Sequence, residues 1–356
     1  MSYTTVIAEI GVNHNGSETL AKKMIDAAKK CGSDYVKFQT FKAEKSITES
    51  AEQADYQIKN TGVKESQLEM VKRLELSDDA HRRLKTYCKE QNIGFLSTAF
   101  DFESLRFLVN DLGLKTLKFP SGEITNAPLL LAHAQTGCDL IVSTGMATLS
   151  EIEMALGIIA YGYTGQVGKP TTEAFFQSYY SDAGQLAITN KVTLLHCTTE
   201  YPAPIQDINL NAMDTMKSAF KLPVGYSDHS KGIVVPIAAT AKGAVLIEKH
   251  FTLSNDMDGP DHMASLDPIE FEQMVFSIRA VEKALGNGIK GPQESEVKNK
   301  LIARKSLVAA KSITKGEVIT QDKLGIKRPG TGRSPYDYWQ VLGSIAEKDY
   351  IIDDEF

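Results

Sequence analysis

The stretch TVIAEIGVNHNGSETLAKKMIDAAKKCGSDYVKFQT, residues 5–40, contains the first repeat of the unit that builds this chain. Residues 5–10 and 35–40 are short runs rich in β-branched and aromatic side chains, which is typical of buried strands. Between them, apolar side chains recur at helical spacing from Leu20 to Cys31, and Gly32 can close that helix in a left-handed turn. The stretch therefore predicts a strand, a helix and a second, parallel strand.

Six further runs have the same character and are separated by helical patterns: residues 95–99, 116–119, 140–144, 192–198, 224–227 and 246–251. Eight strands that alternate with helices over about 250 residues are typical of an α/β fold of the (β/α)₈ (TIM) barrel class. A doubly wound sheet is the main competitor, but its first turn usually carries the pattern G-x-G-x-x-G. Here the first strand is followed by GVNHNG, residues 11–16, so the barrel is favoured.

Two local predictions follow from the same pattern. Ser150, with Glu153 three residues later, is a capping signal for the helix after the fifth strand. Residues 41–76 and 162–190 are longer connections than one βα unit needs, and we expect both to be long loops at the mouth of the barrel.

The βα pattern ends with an apolar-periodic stretch at residues 268–285. We predict a barrel domain over 1–285, a polar linker over 286–300 and a small second domain over 301–356. In that domain, residues 306–310, 316–319 and 324–327 are short strand-like pieces. Residues 301–333 carry eight Lys or Arg against two acidic residues, whereas the whole chain has 39 Lys and Arg against 45 Asp and Glu.

Composition excludes several classes of protein. With 42% hydrophobic and 24% charged residues, the chain is an ordinary globular sequence, and its net charge of −6 argues against general nucleic-acid binding. No apolar run reaches the roughly 20 residues that cross a bilayer, and the first residues lack a signal-peptide pattern. Cys31, Cys88, Cys138 and Cys197 are too far apart for a zinc ribbon or a disulfide framework. We expect a cytoplasmic protein with reduced thiols that binds neither nucleic acid nor membrane.

Polar residues interrupt the predicted strands close to their C-terminal ends. Buried parallel strands are normally continuous apolar runs, and a lone buried Lys or Glu costs several kcal/mol unless it is paired. Singly, each residue has a structural explanation: Glu9 could belong to an ion pair, a histidine to the core and Ser143 to a helix cap. All eight strands nevertheless supply such groups at one end, where the active sites of barrels lie. These groups are Glu9, Lys37, Gln39, Thr98, Lys118, Ser121, Glu123, Ser143, Thr198, Thr199, Tyr201, Ser227, His229 and His250.

The residue types indicate the chemistry of this mouth. Lys37 and Lys118, with nearby hydroxyls and backbone amides, suit an anion with many oxygens, such as a phosphorylated carboxylate. His229 and His250 end adjacent strands and could share a weakly held divalent metal, which could polarise a sugar carbonyl. Glu9 could bind sugar hydroxyls or transfer protons, as could Glu123. An aldolase-like enzyme or transferase is favoured, although these residues do not identify its reaction.

At these positions the sequence resembles the sialic acid synthase family, the phosphoenolpyruvate-dependent nonulosonate synthases. The matching segments are AEIGVNHNG (8–16), VKFQT (36–40), KFPSGE (118–123), STGM (143–146), LHCT (195–198), YP (201–202), GYSDH (225–229), EKHFT (248–252), GPDH (259–262) and KRPG (327–330). They occur in order over nearly the whole chain. Residues 56–61 and 65–70 add to a resemblance that is closest to the bacterial N-acetylneuraminate synthases.

The resemblance implies a TIM barrel followed by a small antifreeze-like (SAF) domain. It also implies a domain-swapped homodimer, in which the SAF domain of one subunit lies over the barrel of the other. The implied reaction condenses phosphoenolpyruvate and water with an open-chain N-acetylated hexosamine, typically N-acetylmannosamine, and releases phosphate by C–O cleavage. His229 and His250 would hold the divalent cation, Mn²⁺ first, with Mg²⁺ and Co²⁺ as alternatives.

The resemblance also implies roles for individual residues. Four would be catalytic: Glu9, Lys37, Lys118 and Glu123. Contacts to phosphoenolpyruvate would come from Lys37, Thr98, Lys118, Ser121, Ser143 and Ser227. Contacts to the sugar would come from Glu9, Gln39, Thr199, Tyr201 and Asp261, and from Arg328 in the partner subunit's site. Thr198 would also bind substrate.

One departure bears on the acceptor sugar, because the family often carries Asn where this chain has Thr199. The expected function is N-acetylneuraminate synthase. The alternative is N,N'-diacetyllegionaminate synthase, which uses 2,4-diacetamido-2,4,6-trideoxymannopyranose. A hypothesis from another class treats residues 301–356 as an ice- or carbohydrate-binding module on an inert barrel.

Overall fold

Eight parallel strands close into a barrel in the computed structural model, which describes residues 3–54, 57–58 and 62–356. Each strand pairs with its neighbour in sequence, and β1 also pairs with β8. The predicted TIM barrel is therefore confirmed, with strand ends within about one residue of those expected. The strands are β1 Thr5–Gly11, β2 Tyr35–Thr40, β3 Gly94–Ala99, β4 Thr116–Phe119, β5 Asp139–Ser143, β6 Val192–Cys197, β7 Val224–Asp228 and β8 Leu246–His250.

Helices follow the strands and cover the outside of the barrel. Those of the first part of the chain are α1 Glu18–Lys30, α2 Ala43–Ser46, α3 Gln67–Arg73, α4 Asp78–Glu90, α5 Phe102–Arg106, α6 Ala127–Gln135 and α7 Leu149–Tyr163. They continue with α8 Thr172–Tyr180, α9 Asp182–Lys191, α10 Asn211–Phe220, α11 Val234–Ala241 and α12 Pro268–Leu285. Among the helices of the described residues, none combines the length and apolarity that a bilayer crossing requires.

The interior of the barrel changes from apolar to polar along its axis. A cluster of Ile7, Leu96, Ile141, Leu195 and Leu246 fills the lower layer. Because side chains two residues apart in a strand share a face, the next interior positions along β1, β5 and β8 carry Glu9, Ser143 and Glu248. The alternate positions, such as Ala8 and Val36, pack outward in the large core between strands and helices. The strands thus place polar groups above a packed apolar floor.

The two long connections have different structures. Residues 41–76 contain α2 and α3, and Phe41, Met70 and Leu74 line a chamber at the barrel mouth, as expected for this segment. Residues 162–190 follow α7 and contain α8 and nearly all of α9, which lead into β6. The prediction of a mouth loop there was wrong, because Phe175, Tyr179 and Ile188 join the core instead.

The helix after the fifth strand also begins earlier than its capping signal suggested. Thr148 is the N-cap of α7, and its side chain accepts a hydrogen bond from the Glu151 backbone amide. The Glu151 carboxylate in turn accepts one from the Thr148 amide, which completes a capping box. Ser150 and Glu153 lie inside the helix, so the prediction was two residues late.

The chain divides into two compact units, Met1–Gly286 and Asn287–Phe356. The second contains the helices α13 Glu294–Ala303 and α14 Tyr338–Val341 and an antiparallel pair of strands, β9 Ser306–Ala309 and β10 Leu324–Lys327. Its own apolar cluster includes Leu307, Ile313 and Leu324. Part of the segment predicted as a linker is thus helical, and 316–319 contributes only an isolated bridge between Val318 and Ile345 instead of a strand.

Candidate active site

A chamber of about 190 Å³ lies at the C-terminal ends of the barrel strands, and we call it the inner chamber. Its lining brings together residues from all eight βα units, as barrel closure predicts. The predicted site residues among them are Glu9, Lys37, Gln39, Thr98, Lys118, Ser121, Ser143, Thr199, Tyr201, Ser227, His229 and His250.

Two buried lysines dominate the floor of the inner chamber. Lys37 Nζ lies 2.9 Å from Glu9 Oε2 and donates a hydrogen bond to Thr98 Oγ1 at 3.2 Å. Lys118 Nζ donates to Ser143 Oγ at 2.6 Å. Both ammonium groups are therefore held by short contacts with groups on neighbouring strands, Lys37 by β1 and β3 and Lys118 by β5.

Glu248 is the site residue that the sequence analysis missed. Its carboxylate lies 3.7 Å from Lys37 Nζ and 3.8 Å from Lys118 Nζ, and it accepts a hydrogen bond from Ser227 Oγ at 3.0 Å. A signal was present in the sequence, because Glu248 lies two residues before His250 and shares its face of β8. It is the carboxylate that both lysines approach.

The four buried charges shift one another's pKa values. Burial raises the pKa of Glu9 to about 7, although Lys37 opposes this shift. Burial acts to raise the pKa of Glu248 as well, but Lys118 and Lys37 outweigh it and lower that pKa. Burial would also lower the pKa of Lys37, but Glu248 and Glu9 raise it, whereas burial does lower the pKa of Lys118. The floor thus keeps an ionised Glu248 and a Glu9 that titrates near neutrality.

His229 and His250 lie beside each other at the rim of this floor. Their rings are 5.5 Å apart between centroids, with the Tyr201 ring 4.2 Å from that of His229. His229 Nδ1 lies 2.6 Å from the Thr198 carbonyl oxygen and must donate to it, because a carbonyl oxygen can only accept. In the neutral ring, Nε2 therefore carries the lone pair that could bind a metal. Burial lowers the pKa of His229 to about 4 and that of His250 well below its usual value. Both imidazoles are consequently neutral near pH 7.

These features fit a divalent cation held by two histidines. A histidine must be neutral to bind a metal ion. Its second ring nitrogen usually donates a hydrogen bond, often to a backbone carbonyl, which fixes the orientation of the ring. His250 Nδ1 is buried without a hydrogen-bond partner among the described residues, and Asp261 Oδ2 is 4.0 Å away. The described residues contain no group of three or more His, Cys, Asp or Glu side chains with metal-site spacing. A cation here would depend on water and substrate for its other ligands.

A second chamber of about 360 Å³ adjoins the first, and we call it the outer chamber. Gln39, Phe100, Tyr201 and His250 line both chambers. Glu123 and Asp261, which the sequence also predicts as site residues, line the outer one. Burial raises the pKa of Asp261 to about 6. A ligand that extends from His250 would therefore leave the charged floor and enter this outer space.

The segments at the C-terminal ends of β4, β5 and β6 pack closely against one another beside the inner chamber. Ser121 Oγ accepts a hydrogen bond from the Gly145 amide at 2.9 Å and lies 3.1 Å from Cys197 Sγ. A Cβ atom at Gly145 would lie 2.3 Å from Thr199 Oγ1, so only glycine fits there. Thr198 lines neither chamber, since its side chain donates to the Asp207 carbonyl and its own carbonyl contacts His229. The structure thus places Thr198 behind a histidine ligand candidate.

A second buried ion pair supports the end of β7 from outside the barrel. Lys249 Nζ lies 2.6 Å from Asp228 Oδ2 and also donates to the Ser230 carbonyl, and both charged side chains are fully buried. Asp228 Oδ1 accepts from the Ser230 amide at 3.0 Å. Because His229 lies between Asp228 and Ser230, this pair fixes the backbone that carries it. The sequence analysis did not identify it.

Arg328 belongs to the second compact unit, whereas the other predicted site residues belong to the first. It follows β10, and its Nε donates a hydrogen bond to the Ala303 carbonyl at 3.0 Å. The side chain is exposed. Its predicted contact with the sugar of a partner subunit stays a prediction.

Comparison with known proteins shows the family. Residues 24–290 match the model of the NeuB family, and residues 304–351 match the SAF domain. The chain belongs to the NeuB family. The resemblance to nonulosonate synthases, which are condensing enzymes, and the SAF domain after the barrel are confirmed at this level.

Relatives of this NeuB-family chain differ in their acceptor sugars. The chain is 50% identical to the N,N'-diacetyllegionaminic acid synthase of Campylobacter jejuni over 98% of both chains. It is 44% identical to the enzyme of the same name from Legionella pneumophila, over 95% of this chain and 89% of that one. The solved structure of an N-acetylneuraminic acid synthetase from Leptospira borgpetersenii is 34% identical in sequence and superposes with a TM-score of 0.68. The match covers 83% of this chain and 90% of that one. The alternative acceptor is therefore better supported than N-acetylmannosamine.

Segment 56–61, which the sequence analysis matched to N-acetylneuraminate synthases, adds little to this comparison. Gln57 and Ile58 are described, but the rest of the segment lies outside the described residues. The other segment, 65–70, forms the start of α3 and places Met70 in the outer chamber.

Proposed function

We propose that this chain is an N,N'-diacetyllegionaminic acid synthase, which condenses phosphoenolpyruvate with 2,4-diacetamido-2,4,6-trideoxymannose. The observation that carries the proposal is the 50% identity to a relative of that name over nearly the full length of both chains. The barrel mouth supports it, because its groups suit a phosphorylated carboxylate at one end and a sugar at the other.

Phosphoenolpyruvate would bind on the floor of the inner chamber. Lys37 and Lys118 supply two buried ammonium groups, and Thr98, Ser143 and Ser227 supply hydroxyls beside them. Charge-assisted hydrogen bonds of this kind are strong in a site that excludes water. Ser121 lines the same chamber and completes the predicted set of phosphoenolpyruvate contacts.

The acceptor aldehyde would lie at the junction of the two chambers. His229 and His250 would hold the cation, Mn²⁺ first among the candidates, and when bound it would polarise the aldehyde oxygen as a Lewis acid. Gln39, Tyr201 and Asp261 line this junction or the outer chamber and would bind the sugar hydroxyls. The floor and the junction together would orient the two substrates.

The reaction forms a C–C bond and a bond from C2 to the oxygen of water, and it breaks the bond from C2 to the phosphate oxygen. One proton of that water ends on the former aldehyde oxygen, and the other leaves with phosphate. C3 of phosphoenolpyruvate attacks the aldehyde carbon, water adds at C2, and the tetrahedral intermediate loses phosphate by C–O cleavage. The oxygen of that water becomes the C2 oxygen of the product, and phosphate leaves with the former bridging oxygen. Glu9, whose pKa lies near 7, can exchange a proton at the floor, and Glu123 offers a second carboxylate in the outer chamber.

The proposed assembly is a homodimer in which each SAF domain covers the barrel of its partner. Exposed apolar side chains follow four successive strands: Met146, Ile205 and Met263 lie on the connections after β5, β6 and β8, and Val234 is the first residue of α11, after β7. A partner's domain over the mouth would remove these side chains from water. Arg328, in the basic segment 301–333 of the second unit, would then reach the acyl-amino group of the sugar in the partner's site.

We also propose a reducing, cytoplasmic location for the enzyme. Cys31, Cys88, Cys138 and Cys197 are all buried free thiols. Proteins of oxidising compartments usually pair such residues in disulfides, whereas cytosolic proteins keep them reduced.

The test is an assay of phosphate release with phosphoenolpyruvate, Mn²⁺ and one acceptor at a time. We expect kcat/KM for 2,4-diacetamido-2,4,6-trideoxymannose to exceed that for N-acetylmannosamine. Product identity is checked by mass spectrometry. A higher kcat/KM with N-acetylmannosamine would instead indicate an N-acetylneuraminate synthase. Turnover of neither sugar would contradict both assignments of the acceptor.

A further inference from the structure

The outer chamber has an apolar wall that the proposed reaction does not use. Phe41, Met70, Val71, Leu74 and Phe100 line it on the side formed by the β2 connection and the end of β3. The same connection also supplies three polar lining residues, Ser46, Gln57 and Gln67. Phe41 packs with Val71, Leu74 and Phe100 in one cluster, so this wall is continuous. Phe41 and Phe100 meet edge to face with ring centroids 6.3 Å apart.

In the part of the chain that the structure describes, the chamber is lined by acidic side chains but not by basic ones: Glu123 and Asp261 line the outer chamber alone, whereas His250 lines both chambers. Among the described lining residues, Glu123, Tyr201, His250 and Asp261 are the titratable ones, and no lysine or arginine lines the chamber. A phosphate or carboxylate that entered it would lose water without gaining a cation. The far end of an acceptor in this space therefore carries no negative charge.

We propose that this apolar wall receives the C6 methyl group of the acceptor and selects a 6-deoxy sugar over its 6-hydroxy counterpart. The inference rests on the proposed function, which places the aldehyde beside His250. The chain of the sugar then extends from that junction into the outer chamber, where C6 meets the wall. A methyl group gains by leaving water there, whereas a hydroxyl loses hydrogen bonds that the apolar side chains do not replace.

A one-atom comparison of substrates tests this selection. The two acceptors are 2-acetamido-2,6-dideoxymannose and N-acetylmannosamine, which differ only in the oxygen on C6. The readout is the ratio of their kcat/KM values with phosphoenolpyruvate and Mn²⁺. We expect the 6-deoxy sugar to be favoured by about tenfold to a hundredfold, as apolar pockets discriminate.

Two variants of the wall should reduce that ratio. Val71→Thr replaces one methyl group by a hydroxyl of the same shape, and Leu74→Asn introduces an amide of similar size. We expect each to bring the ratio about tenfold closer to one. The matched control is Leu68→Asn, on the same helix α3, because Leu68 packs against the cluster but does not line the chamber. This control should keep the wild-type ratio, even if its thermal stability falls.

The outcomes separate this inference from the proposed function. A wild-type ratio near one, or a ratio unchanged in both wall variants, overturns the inference, and turnover of the diacetamido sugar would still support the proposed function. If the enzyme strongly prefers the 6-deoxy sugar but does not turn over the diacetamido sugar, the proposed function is overturned. The selection of 6-deoxy sugars by the apolar wall would still be supported. If Leu74→Asn does not fold, the near-isosteric Val71→Thr alone decides.

Discussion

Glu9 illustrates how a single residue takes its properties from its neighbours. Its carboxylate is buried between Lys37, 2.9 Å away, and Gln39, whose amide donates to it at 3.3 Å. Burial outweighs the lysine and raises the pKa of Glu9 to about 7. At neutral pH the floor is therefore a mixture of protonated and ionised forms, which an arriving anion can shift.

We predict that phosphoenolpyruvate binding takes up protons between pH 7 and 8. The negative charge of the ligand disfavours ionised Glu9, so it raises that pKa further and the complex holds more protons than the free enzyme. Calorimetric titrations in buffers of different ionisation enthalpy measure this uptake. The control is Glu9→Gln, which should bind with markedly smaller uptake. Equal proton uptake in the two proteins would assign the linked group elsewhere.

His250 gives a second prediction at this scale. His250→Ala removes one of two proposed metal ligands and should abolish stabilisation of the protein by Mn²⁺, because the described part of the chain offers no group of three metal-ligating side chains at this site. In wild type, a cation at 100 times its Kd should add about 2.7 kcal/mol to the free energy of unfolding. Thermal denaturation with and without Mn²⁺ measures both proteins. A variant that Mn²⁺ stabilises as strongly as wild type would refute the ligand assignment.

Helix α7 shows the limits of local signals at the scale of an element. Thr148 and Ser150 both have the residue type of an N-cap, and each is followed three residues later by a glutamate. The backbone decides between them: Thr148 is extended, with φ −81° and ψ 164°, whereas Ser150 is already helical. The same ambiguity affects residues 162–190, whose Thr and Ser residues include the N-caps Thr171 and Ser181 of two helices.

The capping box predicts a difference between two similar substitutions. Thr148→Ala should lower the free energy of unfolding by about 1 kcal/mol, because it removes the acceptor for the Glu151 amide. Ser150→Ala, in the first turn of the same helix, should change it by less than about 0.5 kcal/mol. Urea denaturation of both variants provides the comparison. A larger loss for Ser150→Ala would mean that the helix begins where the sequence alone suggested.

At the scale of the whole molecule, the proposed dimer makes each active site depend on two chains. Lys118→Ala disables a barrel, and Arg328→Ala disables a second unit, so each variant alone should be nearly inactive. In a mixed dimer, one of the two sites would combine the intact barrel with the intact second unit. After random exchange of subunits, we expect about a quarter of the wild-type activity. Activity no greater than the mean of the two variants would place both residues in the same chain's site.

Much of this architecture was predictable because it follows from periodicity. Strand residues alternate between faces, so Glu9, Lys37 and His250 could be assigned to one mouth once eight units had been counted. Helix ends and the course of 162–190 were harder, because polar residues mark both loops and helix caps. The acceptor sugar was harder still, since the motifs that carry the chemistry are common to synthases with different acceptors.

The amino-acid sequence by itself determined the barrel, its polar mouth and the family, because these depend on residue type and on spacing along the chain. Only the tertiary structure decided that Glu248 lies between Lys37 and Lys118, that His250 Nδ1 has no hydrogen-bond partner among the described residues, and that an apolar wall adjoins the mouth. These properties depend on distances across the barrel between residues far apart in the chain. The burial of these groups and the electrostatic interactions between them depend on those distances, which cannot be read from the spacing of residues along the chain.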